Sequence, residues 1–319
     1  MPGDLVMGDV MRTGVIQPLP GIGDMIWLLP ALKAISQSAP DGKLTLFTRA
    51  STQAVSLFHN EPWIERVVYL PPNKRGVFGF VSNMLAIRKA LRQALPDRLY
   101  VLHHSPRYGQ AAKFAGVRKV LAYSPAVKAI LDTGWTRSLA FLKEIGIPVP
   151  DTDSRLTVSE AKRLAVAEEF SGLPRPWLVV APGASEPVRC WPAENFAQVA
   201  KGVITEAGGT LFLVGAKGEA GIIERLHALC GHAEAIKPLA GRPLDEVMAL
   251  MSLSDVLLGN DSGPVNLAAA LGCDAYALCG VTRPAQHSPK LHLIEPEGEA
   301  SMGAITPTQV LDAVLDQLR

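Results

Sequence analysis

A tandem pair of Rossmann-like α/β domains facing one another across a cleft is the fold class this sequence predicts, and three observations lead to it. The chain has 319 residues, above the ~250–300 at which one hydrophobic core stops growing and a chain divides. Short β-rich runs alternate with helical patterns along almost its whole length, the mark of βα units and of a parallel sheet buried on both faces. The alternation is interrupted once, by IPVPDTDSRLTVS at 147–159, whose prolines and small polar residues read as a linker. The domains are therefore expected at 1–150 and 151–319.

In the first half, TGVIQP precedes a helix over 24–38, KLTLFTR one over 51–59, ERVVYL one over 80–95 and RLYVLHH one over 107–115, and KVLAYS is a fifth strand. In the second half WLVVAPG precedes a helix over 193–207, TLFLVGA one over 218–229, AIKPLAG one over 243–252 and DVLLGN one over 263–271, with DAYALCG the last strand. Val310, Leu311, Val314 and Leu318 recur at helical spacing after Pro307, so a final amphipathic helix is expected. It packs either on its own domain or back on the N-terminal one. In parallel sheets ligands bind beyond the carboxyl ends of the strands, which makes a cleft between two such domains the expected site.

The composition, with 48% hydrophobic and 19% charged residues, is that of a soluble globular protein. MPGDLVMGDVMRTG lacks a basic start followed by a continuous apolar stretch, and no uncharged apolar run reaches the ~18 residues of a membrane span. A cytoplasmic protein is expected. Cys190, Cys230, Cys273 and Cys279 form no CxxC pair, so buried reduced thiols are expected rather than disulfides or a structural metal. Residues 1–150 hold 18 Lys and Arg against 9 Asp and Glu, whereas 151–319 hold 13 against 21, so balances of +9 and −8 add to the chain's +1. A basic half suits an anionic substrate, an acidic membrane surface or nucleic acid, and opposite charges would also help two domains dock.

Four segments carry candidate chemistry. In PLPGIGDMIWLLPAL, Asp24 stands between Gly21 and Gly23 on one side and an apolar run on the other. It belongs to a first helical turn, where a carboxylate suits the helix dipole even without further function. The GxG here lacks the third small residue of a dinucleotide fingerprint, because Ile26 occupies that position. The strand KLTLFTR also ends without the acid that would hold a nicotinamide ribose. WLVVAPGASEPVRCWPAENF sets Ser185 and Arg189 in a glycine loop before a helix, a loop able to cradle phosphates. TLFLVGAKGEAG puts Glu219 just after a strand, where a carboxylate can accept from ribose hydroxyls. In DVLLGNDSGPVNLAAALGC, Asp261 or Ser262 can cap the helix opened by Gly263 and Pro264, and the free amides there form a ready anion site.

Together GIGDMIWLLPAL, PGASEPVRCWPAENF, LVGAKGE and NDSGPVNLAAALG resemble, in order and position, the ADP-heptose:lipopolysaccharide heptosyltransferases of glycosyltransferase family 9. The resemblance covers nearly the whole chain. It implies a GT-B fold, a C-terminal domain holding a nucleotide sugar (ADP-heptose), and an N-terminal domain receiving the lipopolysaccharide inner core. It also implies inverting transfer without metal or cofactor, no nucleic-acid partner, and contact with the inner face of the inner membrane. By position, Asp24 matches the catalytic base, Ser185 and Arg189 the phosphate loop, Glu219 the ribose acid, and Asp261, Ser262 and Gly263 the nucleotide-facing helix start. Two departures stand out: Arg189 replaces a lysine, changing donor geometry, and Asn266 stands where a histidine is frequent. Under this reading Arg49, Lys74, Arg75, Arg107, Arg88 and Arg137 are candidates to meet a phosphorylated acceptor. Another nucleotide sugar or glycan acceptor, or a sugar-nucleotide binding module without catalysis, is the alternative.

Overall fold

The computed structural model describes residues 11–72 and 77–319, without the side chains of residues 77 and 78. Contacts divide the chain into two units, Met1–Thr152 and Asp153–Arg319, the break falling inside the proline-rich linker. The first unit runs β1 (Thr13–Ile16), α1 (Ile22–Gln37), β2 (Leu44–Arg49), α2 (Ala54–Leu57), β3 (Ile64–Leu70), α3 (Val77–Gln93), β4 (Arg98–Val101), α4 (Arg107–Ala115), β5 (Lys119–Ala122), α5 (Pro125–Lys128) and α6 (Gly134–Glu144). The second runs α7 (Glu160–Glu169), β6 (Trp177–Ala181), α8 (Ala193–Glu206), β7 (Thr210–Gly215), α9 (Ala220–Leu229), β8 (Ile236–Ala240), α10 (Leu244–Leu253), β9 (Val256–Asn260), α11 (Gly263–Ala270), β10 (Asp274–Leu278), β11 (Leu291–Ile294) and α12 (Pro307–Leu318).

Both sheets are parallel throughout, in the orders β3-β2-β1-β4-β5 and β11-β10-β9-β6-β7-β8. Parallel strands put every strand-to-helix loop on one edge of the sheet, and where the winding reverses, neighbouring loops part to leave a crevice. That reversal lies between β1 and β4 in the first sheet and between β6 and β9 in the second. The central strands are buried end to end: TGVI, WLVVA and VLLGN have no exposed residue. This is why they read as continuous apolar runs rather than as alternating ones.

The structure also departs from the sequence expectation. The helix expected over 51–59 is a short turn followed by α2, because Gln53 takes a left-handed conformation (φ 50°, ψ 32°) that ends the first turn. α6 and α7 flank the linker. α6 buries Phe141 and Leu142 and packs on α1. At the second sheet's edge β11 pairs with β10. α12 packs on α8 in the second unit, with Val310 and Val314 fully buried in that unit's core. All four cysteines are free; Cys230, Cys273 and Cys279 are buried, whereas Cys190 is only partly so, because it follows the short turn Pro187–Arg189 at the surface end of a loop.

Candidate functional site

Asp24 is the third residue of α1, and its Oδ2 accepts the backbone N–H of Gly21 at 3.1 Å, closing the helix start. A Cβ at Gly21 would lie 2.7 Å from that oxygen, so a larger residue there would push the carboxylate out of its position. The apolar run behind it, Met25, Ile26, Leu28 and Leu29, is buried and fixes α1 against the sheet. Partial burial raises the Asp24 pKa, and the Gly21 N–H offsets only part of that rise. A carboxylate with a raised pKa is a stronger proton acceptor once ionised.

Across the switch point from β1, the loop after β4 carries His103 and His104, and Arg107 opens α4. Nδ1 of His103 accepts the Ser105 N–H at 2.9 Å, and its ring meets Tyr108 edge-on at 5.2 Å. Burial, then the positive field of His104, Arg107, Arg137 and Arg49, pushes its pKa down to about 4. Three of the arginines marked as anion contacts therefore converge on one histidine. Arg49 also braces the loop after β1, donating to the carbonyls of Pro18 (3.2 Å) and Pro71. Arg107 lies over the Tyr108 ring and donates to its hydroxyl at 2.6 Å. Arg88 is elsewhere: it bonds the Phe114 carbonyl at the far end of α4. Lys74 and Arg75 lie outside the described residues.

In the second unit the switch-point loops are tied together. Nη2 of Arg189 donates to Ser185 Oγ at 2.6 Å and Nη1 to the Asp261 carbonyl at 3.2 Å, so the loop after β6 is fastened to the loop after β9. Buried Asn260 makes the same link from beneath, accepting from Trp191 N–H (2.9 Å) and donating to the Pro182 carbonyl (2.7 Å). Asp261 accepts from Thr282 Oγ1 at 2.5 Å. Ser262 holds the cap position of α11 without capping it, and its buried Oγ has no partner among the described residues. The helix therefore presents its start uncapped, a favourable place for an anion.

Glu219 comes from the loop after β7, next to β6. Its Oε2 accepts the Ala216 N–H at 2.7 Å, the same helix-start bond that Asp24 makes. A Cβ on Gly183 would lie 1.7 Å from its Oε1, so the carboxylate is seated on the bare backbone of the phosphate-type loop. Ser185, Arg189, Glu219 and Asp261–Gly263, scattered over 79 residues of sequence, thus share the switch-point edge of one sheet. Asn266 does not join them. It is buried, donating to the Ser262 carbonyl and accepting from His287 Nε2, both at 2.8 Å. It braces the helix start from behind.

The sequence reading passed over Asn260 as a link, His103, Thr282 and His287. For His103 the signal was available, since RLYVLHH puts two histidines at the carboxyl end of a strand. His287 and Thr282 come from the irregular stretch after β10, where no periodicity places a residue.

Two parallel sheets, each with polar loops gathered at its switch point, define an α/β protein of the GT-B type. Solved structures agree. A glycosyl transferase family 9 protein from Veillonella parvula DSM 2008 superposes with a TM-score of 0.77 at 20% identity, covering 97% of both chains. E. coli ADP-heptose LPS heptosyltransferase II superposes with 0.76 at 23% identity over 97% and 98% of the two chains. At such identities the likeness is one of fold. Lipopolysaccharide heptosyltransferase 2 of E. coli K12 is 30% identical over 226 residues, which span 64% of this chain and 65% of that protein, just under two thirds of the relative's length. Residues 98–295, more than half of the chain, match the model of glycosyltransferase family 9 (heptosyltransferase). The chain belongs to that family, as its motifs suggested.

His287 supplies a stability test of the brace behind α11. Burial pushes its pKa from 6.5 to about 4, so the folded state resists a proton that the unfolded chain accepts. The contribution is present above pH 6.5 and is lost as pH falls toward 4, amounting to about 3 kcal/mol from the size of the shift. Urea unfolding at pH 7 and pH 4.5 should therefore show a smaller pH loss in His287→Gln than in the parent chain.

Proposed function

We propose that this chain is an inverting, metal-independent glycosyltransferase that moves heptose from ADP-heptose to the inner core of lipopolysaccharide. The observation that carries the reading is the assembly of Ser185, Arg189, Glu219 and Asp261–Gly263 on one sheet edge in a family 9 chain. The uncapped start of α11 and the Arg189 guanidinium suit a diphosphate, and Glu219 suits a ribose diol. When the glycosidic bond to the diphosphate breaks, these positive groups stabilise the charge that develops on the leaving oxygen.

Inversion asks that an acceptor hydroxyl attack the anomeric carbon opposite the leaving diphosphate while its proton passes to a base. Asp24 is the candidate. One of its oxygens is held by Gly21, which fixes the carboxylate's direction, and burial raises its proton affinity. Arg49, Arg107 and Arg137 around His103 supply positive charge for a phosphorylated saccharide. A nicotinamide cofactor would find no ribose-binding acid here, since β2 ends at Arg49, which is occupied with backbone carbonyls.

The expected location is the cytoplasmic side of the inner membrane, and one face of the first unit suits a lipid surface. Phe80, Val81 and Leu85 on α3 and Phe114 on α4 are 53–71% exposed. With Met84 and Arg88 they line an open apolar groove of about 370 Å³. The two helices that form it carry Arg88, Lys89, Arg92, Arg107 and Lys113 and no acidic residue. Exposed apolar anchors ringed by lysine and arginine fit an anionic bilayer, each basic residue adding about 1 kcal/mol near the surface. Among the described residues no helix is long and apolar enough to cross a membrane.

Three outcomes test this reading. Asp24→Asn, which can still accept from Gly21, should lower turnover at saturating substrates by about 10² to 10⁴ fold with little change in melting temperature. In the parent, turnover should fall with acid through a pKa above the ordinary carboxylate range. Near-normal turnover in the folded variant moves the base elsewhere. Calorimetric titration with ADP should show Arg189→Ala and Glu219→Ala each losing roughly 1.5–3 kcal/mol, as for buried charge-assisted bonds; two unchanged affinities would remove the donor assignment. Sedimentation with phosphatidylglycerol-containing vesicles should fall at least about tenfold in the Leu85→Ser, Phe114→Ser double variant, since each lost anchor is worth more than 1 kcal/mol. Equal binding by parent and variant would rule the face out.

A further inference from the structure

Away from the groups used above, α9 and the turn that follows it bring together Glu224, His227 and His232. One donor atom from each lies within 4.8 Å of the others. Glu224 and His227 are three apart on a helix and so share a face. His232 is beyond the helix end and reaches them only because the backbone doubles back. Gly231 and His232 both take left-handed conformations (φ 71° and 51°), and their N–H groups bond the carbonyls of Ala228 (2.9 Å) and His227 (3.0 Å). Gln53 and His232 are the only non-glycine residues with positive φ among the described residues. A histidine is thus kept in a conformation that glycine would adopt more easily, and the effect is to lay its ring edge-on to His227, with centroids 4.7 Å apart.

The two imidazoles are spaced as ligands of one small cation, with a Glu224 oxygen in reach. The two Nδ1 atoms are 3.3 Å apart, the separation of two imidazoles bound at about 2.0–2.1 Å on a tetrahedral centre. Without a cation the two Nδ1 atoms either share one proton or face each other as lone pairs. The electrostatics also suit a positive ion. The site is at the C-terminal end of α9, the negative end of its dipole, and the neighbouring Arg225 on α9 is turned to Glu194. Two imidazoles and a carboxylate favour zinc, nickel or copper over magnesium or calcium, which prefer all-oxygen shells.

From this arrangement we infer that Glu224, His227 and His232 form a binding site for a divalent transition-metal ion of the zinc type, separate from the transfer chemistry. Water completes the shell, since Glu224 and His232 are exposed. The ion fastens the end of α9 to the turn leading into β8. α9 starts directly after Glu219, so the metal steadies the element whose opposite end carries that carboxylate. The cysteine spacing pointed away from a metal; these donors are imidazole and carboxylate, and the sequence spacing EXXHXXXXH acquires its meaning only from the reversed turn.

Equilibrium dialysis of the untagged, EDTA-stripped full chain against zinc sulfate tests the site. One zinc per chain is expected, with zinc raising the melting temperature by linkage. His227→Gln and His232→Gln should each weaken uptake at least about 100-fold, because even outer-shell partners of a metal are worth 10–100-fold. Glu224→Gln should weaken it less. In EDTA the variants should melt where the parent does, which separates lost ligation from lost folding. No zinc uptake by the folded parent overturns the proposal. So does uptake that survives in the His227→Gln, His232→Gln double variant, or calcium uptake equal to that of zinc.

Discussion

The constraint on which the rest of this structure depends is that all strands of each sheet run the same way. Parallel pairing sends every chain reversal through a crossover, so all strand-to-helix loops, with the positive ends of the following helices, share one edge. In the second unit this brings together residues from the loops after β6, β7 and β9. Charged and polar side chains can be tolerated there because the strands beneath them are wholly buried and apolar, leaving their carboxyl ends as the place where polarity begins.

Given that edge, a few bonds decide the local shape. Arg189 and Asn260 each join the β6 loop to the β9 loop, one at the surface and one in the interior. Asp24 and Glu219 do structural work as well, each holding the first N–H of its helix start. This does not compete with a chemical role. A carboxylate anchored through one oxygen has lost most of its rotational freedom, so its direction is set before any ligand arrives.

The charge division of the chain is likewise more local than the balance of its halves suggests. The basic excess of the first half lies mostly between residues 71 and 118. Two of its arginines stand in different environments at opposite ends of α4. Arg107 opens the helix near His103 and the sheet's carboxyl edge, and Arg88 meets the carbonyl of Phe114 in its last turn beside exposed apolar side chains. The histidine reads the first environment directly, being pushed down to about 4 by burial and the cationic cluster around it.

The sequence alone determined the two α/β units, the strands and most helices, the place of the linker, and the loops that carry Asp24, Ser185, Arg189, Glu219 and Asp261–Gly263. Those features are local: period, turn residues and helix-start chemistry are written within a dozen neighbouring residues. Tertiary structure decided which loops meet. Strand order put β6 beside both β7 and β9, which made neighbours of Gly183 and Glu219 and of Arg189 and Asp261. It also decided the place of Asn266, whose side chain turns inward to His287 because both polar ends find buried partners there. Arg88 was separated from Arg49, Arg107 and Arg137 by the same means, although all four look alike as letters. Contacts between segments tens of residues apart depend on strand order and packing, and neither is encoded in any single stretch of the chain.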